Sequence, residues 1–76
     1  MKPAATSIDL HGVRHADVPR TLDPFLYGGL VAGYSQLTIV TGNSETMKDV
    51  VRAVLSDYGL IATEGWNSGE LRVNLF

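Results

Sequence analysis

An aspartate and a histidine two residues apart, Asp9 and His11, stand in the stretch Ile8-Asp9-Leu10-His11-Gly12 near the start of the 76-residue chain. An imidazole titrates near neutral pH, and a neighbouring carboxylate can orient it or exchange a proton with it, so the two together have the chemistry of a general acid/base. Apolar and polar residues alternate here, the pattern of a half-buried strand. It predicts Ile8 and Leu10 facing a core, with Asp9 and His11 sharing the opposite face. Gly12 then permits a sharp turn at the strand's end. The residue types alone leave a second reading open, that of an ordinary polar face on an open sheet.

A second group with possible chemistry is Thr41-Gly42-Asn43-Ser44, which opens a helix and has Lys48 one turn on. The unbonded N–H groups and positive dipole end of a helix attract a phosphate, and Thr41, Asn43 and Ser44 would add side-chain donors. The same residues read equally well as a helix cap, with Asn43 or Ser44 in the capping position. Arg14 and His15 follow the first turn and could contact a phosphate. His11 and His15 are spaced across a glycine turn rather than along a helix and have no further convergent ligands, so no metal site is predicted. Asp9 has an alternative partner in Arg72, in a surface ion pair.

The elements that must position these groups follow from periodicity. A first strand is expected over residues 6–10. The next segment leads to a helix capped by Asp17, with Pro19 in its first turn and Val18, Leu22, Phe25 and Leu26 on one stripe. Pro24 should kink that helix and Gly28-Gly29 should end it, with residues 30–35 as a connection; a longer helix reaching Ala32 is the alternative. A β-branched stretch, residues 36–40, predicts a second strand with Leu37 and Ile39 inward. The second helix is the clearest element. Met47, Val50, Val51, Val54, Leu55 and Tyr58 recur at helical spacing, Glu45, Lys48, Asp49, Arg52 and Ser56 take the outer face, and Gly59 stops it.

Residues 60–64 and 70–75 then form an antiparallel hairpin around a turn of Gly65-Trp66-Asn67-Ser68-Gly69, with Leu71, Val73 and Leu75 inward. Trp66 could stack on a base or fold back on its own hairpin. The order is βαβαββ: a four-stranded mixed sheet with both helices on one face, an α/β two-layer sandwich. Parallel first and second strands end on one sheet edge, so the His11-Gly12 and Thr41–Ser44 turns should meet there, where open sheets commonly bind ligands.

Composition bounds the rest. A chain of this length is one domain that buries only about 60% of its unfolded surface. Residues 1–5 are expected to be a frayed tail and 6–76 the domain. There is no cysteine, hence no disulfide or zinc–thiolate site, and no apolar run long enough for a membrane span, which suggests a cytoplasmic protein. A net charge of −2 argues against a protein that coats nucleic acid electrostatically. Arg14, Arg20, Lys48, Arg52 and Arg72 lie within the expected fold, with Arg14 and Lys48 near the proposed site.

The Ile8-Asp9-Leu10-His11-Gly12 stretch resembles the Leu-Asp-Leu-His-Gly signature that opens the small MutS-related (Smr) domain. The resemblance continues through His15 at the start of the first helix, Thr41-Gly42 at the end of the second strand, the helix from Ser44 to Tyr58, and Asn67-Ser68-Gly69 in the closing hairpin. Where many members carry Gly-x-Gly, this chain has Gly42-Asn43-Ser44, similar to a shorter prokaryotic and phage-type variant. The resemblance implies a fold similar to the C-terminal domain of translation initiation factor 3, with strand order one-two-four-three. It also implies a nucleic-acid-binding domain with endonuclease activity on DNA or RNA. In that reading His11 and Asp9 are catalytic, and Gly12, Arg14, His15, Thr41, Gly42, Asn43, Ser44 and Lys48 hold the nucleic acid. No cofactor is implied, except that a divalent metal could be needed if the substrate is DNA. The rival reading is a module that keeps the fold and binds nucleic acid or protein without cleaving.

Overall fold

The computed structural model of the protein describes residues 6–64 and 69–75. The expected tail and the hairpin turn carrying Trp66, Asn67 and Ser68 lie outside the described residues. The elements are β1 (Ser7–Asp9), a single 3₁₀ turn (His15–Asp17), α1 (Val18–Ala32), β2 (Gln36–Val40), α2 (Glu45–Asp57), β3 (Ala62–Glu64) and β4 (Glu70–Asn74). The sheet order is β1-β2-β4-β3. β1 and β2 are parallel, with Asp9 opposite Val40, while β2 and β4 and then β3 and β4 are antiparallel.

Period-two alternation sets the two sheet faces. In register, Ile8, Ile39 and Leu71 form one row and Leu37, Val73 and Ala62 the next, and both rows point at the helices. Leu37, Ile39, Leu71 and Val73 are fully buried there with Leu10 from the end of β1, Val18, Leu22 and Leu26 from α1, and Val51 and Leu55 from α2. Each such side chain contributes about 1.5–3 kcal/mol of burial. The other face carries the row Ser7, Thr38, Arg72 and Thr63. This is the two-layer α/β arrangement expected from the order of elements, with one sheet face open.

The first helix departs from the glycine-based expectation. It runs unbroken through Pro24 and through Gly28-Gly29 to Ala32. The reason is tertiary: a Cβ on Gly29 would lie 2.8 Å from Leu37 Cδ1, so a bare backbone here lets α1 settle directly on β2. Glycine within a helix costs about 1 kcal/mol relative to alanine, less than the burial of Leu37 that the close approach allows. The helix ends instead at Gly33, with Tyr34 N–H donating to Gly29 C=O at 3.1 Å and Gly33 N–H to Leu30 C=O at 3.2 Å. Asp17 stands at the N-cap without a side-chain capping bond; its carbonyl instead accepts the Thr21 hydroxyl at 2.8 Å.

Lys48 of α2 and Tyr58, the residue directly after it, also depart from the expected pattern. Tyr58 is exposed, and its hydroxyl donates to Asp23 Oδ1 at 2.7 Å, tying the end of α2 to α1. That bond, followed by desolvation and then by the negative charges of Asp23 and Asp57, raises the phenol's pKa above its ordinary value. Lys48, assigned to the outer face, is buried at 2% exposure. Helical spacing explains it, because residue 48 sits one turn from Val51 and two from Leu55, on the margin of the core face. A lysine can bury its stem along apolar surface while its ammonium meets a charge, here Glu45 Oε1 at 3.6 Å.

Candidate functional site

Both parallel strands deliver a turn to the same sheet edge. The ladder reaches past the formal end of β1, since Leu10 N–H donates to Val40 C=O at 2.8 Å. Two residues beyond that bond on each strand is a glycine with positive φ: Gly12 at 83° and Gly42 at 71°. Each occupies the left-handed region that side chains avoid, so each strand can reverse immediately. The turns of His11-Gly12 and of Thr41–Ser44 therefore leave the sheet side by side, and the N-terminus of α2 opens at that same edge.

The first turn is closed by Val13 N–H donating to Leu10 C=O at 2.9 Å, which places His11 and Gly12 at its two central positions. His11 thus stands in the turn rather than on the strand face, and it is exposed. Asp9 Oδ1 accepts the main-chain N–H of His11 at 2.8 Å. The carboxylate therefore positions the histidine through its backbone, as an aspartate does when its side chain mimics a turn, and not through the ring. Ion pairs join Lys48 to Glu45 and Arg52 to Asp49 and Glu64. In register Arg72 lies across from Thr38, one row away from Asp9 and Val40.

The second turn is anchored to the hairpin. The Gly69 carbonyl accepts Thr41 N–H at 2.8 Å, Gly42 N–H at 2.9 Å and the Thr41 hydroxyl at 3.2 Å, and that hydroxyl also reaches Gly42 C=O at 2.9 Å. Thr41 is buried, so its hydroxyl braces the turn and is not a donor to solvent or ligand. Ser44 is the residue that caps α2, its Oγ accepting Met47 N–H at 3.1 Å and its carbonyl accepting Lys48 N–H at 3.1 Å. The amides of Glu45 and Thr46, at the start of the helix, have no carbonyl one turn back and point off its end. Asn43 and Ser44 are exposed beside them.

Of the predicted residues, the fold thus brings His11, Gly12, Gly42, Asn43 and Ser44 to one edge and gives Asp9 and Thr41 supporting roles. Arg14 and His15, both exposed, continue from the first turn into the 3₁₀ segment. Lys48 is the residue whose predicted setting changes most, from solvent-facing cation to buried partner of Glu45. The braces that sequence reasoning missed are the Gly69 carbonyl, 28 residues from Thr41, and Glu45. Only Glu45 had a visible signal, its i,i+3 spacing from Lys48. Among the described residues no group of three His, Asp or Glu is placed to hold a metal ion. No helix among them is long and apolar enough to cross a membrane.

Comparison with known proteins adds one finding. Residues 8–68 match the family model described as the Smr domain. No curated protein and no solved structure matches the chain.

Proposed function

Because the chain belongs to the Smr domain family, we propose that it binds nucleic acid at the edge where the two glycine turns meet and cleaves it there, with RNA as the better-suited substrate. The observation that carries this reading is the pairing of an exposed histidine with an open helix N-terminus, set side by side by the Leu10 to Val40 bond. The free amides of α2 with Asn43 and Ser44 hold a phosphate. His11 takes the proton of the neighbouring 2′-hydroxyl, the 2′ oxygen attacks phosphorus, and the 5′ oxygen leaves and takes a proton from water. Asp9 keeps the backbone of His11 in place during the exchange, and Arg14 and His15 follow the strand away from the scissile bond. Cleavage by this route needs only the internal nucleophile of RNA and a proton-transfer group. DNA lacks that nucleophile, and the described residues offer no three-ligand site for an activating metal.

One observation favours a second reading, a module that binds without cutting. Asp9 engages the His11 main chain and leaves the imidazole without a carboxylate partner among the described residues. The deciding experiment incubates the protein with single-stranded RNA and with DNA of the same sequence, each with and without chelator, alongside His11→Ala. Chelator-resistant cleavage of RNA that disappears in the variant supports the nuclease. Binding with no cleavage of either polymer supports the binding module.

A further inference from the structure

A lysine in the core margin requires a counterion, because taking an ammonium out of water is costly unless an opposite charge compensates. Lys48 has 3% of its side chain exposed, and the anion that compensates it is Glu45, 73% exposed, at 3.6 Å. Glu45 is also the first residue of α2, directly after the Ser44 cap. Its carboxylate therefore does two things at once. It neutralises Lys48, and it sits at the positive end of the helix where a phosphate of the proposed site would have to stand. Lysine and glutamate are separated by more than hydrogen-bond distance, so the contact is electrostatic and can be exchanged.

We propose that Glu45 is a displaceable counterion that restrains the site: an incoming phosphodiester takes its place beside Lys48 and the first amides of α2, and the Glu45 side chain swings into solvent. This rests on the reading of that edge as a nucleic-acid site. The exchange conserves charge around Lys48, since one monoanion replaces another. It also accounts for a site that presents few exposed cations on a chain of net charge −2. The lysine is held in reserve beneath a carboxylate, and a ligand without a phosphate gains nothing by displacing it. The pair thereby filters ligands by charge and weakens binding to every one of them by the cost of moving Glu45.

The experiment measures binding of a fluorescently labelled single-stranded RNA oligonucleotide at low salt to the parent, Glu45→Gln, Asp49→Asn, Lys48→Met and the Glu45→Gln/Lys48→Met double variant, each checked for folding by its melting curve. Asp49 is the matched control, an exposed carboxylate on the same helix that pairs with Arg52 at 3.4 Å. Removing a carboxylate that competes at contact distance should tighten binding about fivefold or more, against about twofold or less for the long-range effect of Asp49→Asn. The gain should vanish when Lys48 is methionine. Equal tightening by Glu45→Gln and Asp49→Asn, or a gain that persists in the double variant, overturns the inference while leaving the binding site itself standing. Failure of the parent and every variant to bind overturns both together.

Discussion

The two turns that leave the parallel strands share a register, a glycine and a sheet edge, yet they are held very differently. The His11-Gly12 turn is closed by one main-chain bond and steadied by the Asp9 carboxylate. The Thr41–Ser44 turn is clamped to Gly69 by three donors and then continues into a capped helix. The lightly held turn carries the group that would move a proton, and the braced turn carries the groups that would hold a charge still. A phosphate held by amides needs those amides fixed in advance, since a site that must reorganise spends binding energy on itself. A proton-transfer group at the surface can tolerate looser support, provided it comes within hydrogen-bond reach in the complex.

The comparison can be broken most directly at His11. His11→Ala should lower RNA cleavage by about 100-fold or more while the melting temperature stays near that of the parent, because the side chain is exposed and packs against nothing in the core. A cleavage rate like the parent's removes the catalytic role from the first turn. Thr41→Val should have the opposite profile. It deletes the buried hydroxyl that braces the second turn, and denaturant titration should show a loss of about 1–1.5 kcal/mol. Any loss of binding should scale with that loosening, so an unchanged unfolding midpoint would mean that the main-chain bonds to Gly69 suffice.

Ser44→Ala removes the cap and should cost about 1 kcal/mol in the same titration. Its effect on RNA affinity sharpens the comparison, since weakening beyond the stability loss places the hydroxyl on the ligand as well as on Met47. The smallest change is expected from Arg14→Ala on the flank of the first turn. It should leave stability unaltered and reduce the dependence of log affinity on log salt by about 0.7, the value for one phosphate contact on a single strand. An unaltered slope would take Arg14 off the path of the backbone.

Much of this architecture could be read from local pattern. The bounds of β2 follow from its β-branched alternation, and α2 announces both its ends through Ser44 and Gly59. What could not be read was set by contacts distant in the chain. Gly28-Gly29 has the local chemistry of a helix stop, and only the approach of Leu37 turns Gly29 into a packing surface. Thr41 has the local chemistry of a phosphate donor, and only Gly69 turns it into a brace. Lys48 shows the same difficulty in electrostatics: charge suggests solvent, whereas position on the helix puts its stem in the core. The edge where the turns meet was legible because parallel pairing follows from the order of elements. The division of labour between the turns was not, because it depends on hydrogen bonds across the fold.

The place of β1 at the end of the sheet has a further consequence, for the order in which the protein comes apart. β2 is paired with β4 over five residues, and β4 is paired with β3 on its other side. β1 is paired over three residues, to β2 alone, and so has a neighbour on one side only. A three-residue ladder on one side is held by fewer bonds than the five-residue ladder between β2 and β4, which makes its opening the easier step. The histidine is therefore delivered by a strand that can detach while the rest of the sheet stays paired. In native-state hydrogen exchange, the amides of Thr38 and Leu10, which bond across this junction at 2.9 and 2.8 Å, should exchange faster than the β2–β4 amides. Competence to transfer a proton would then be the first property the protein gives up as its sheet opens.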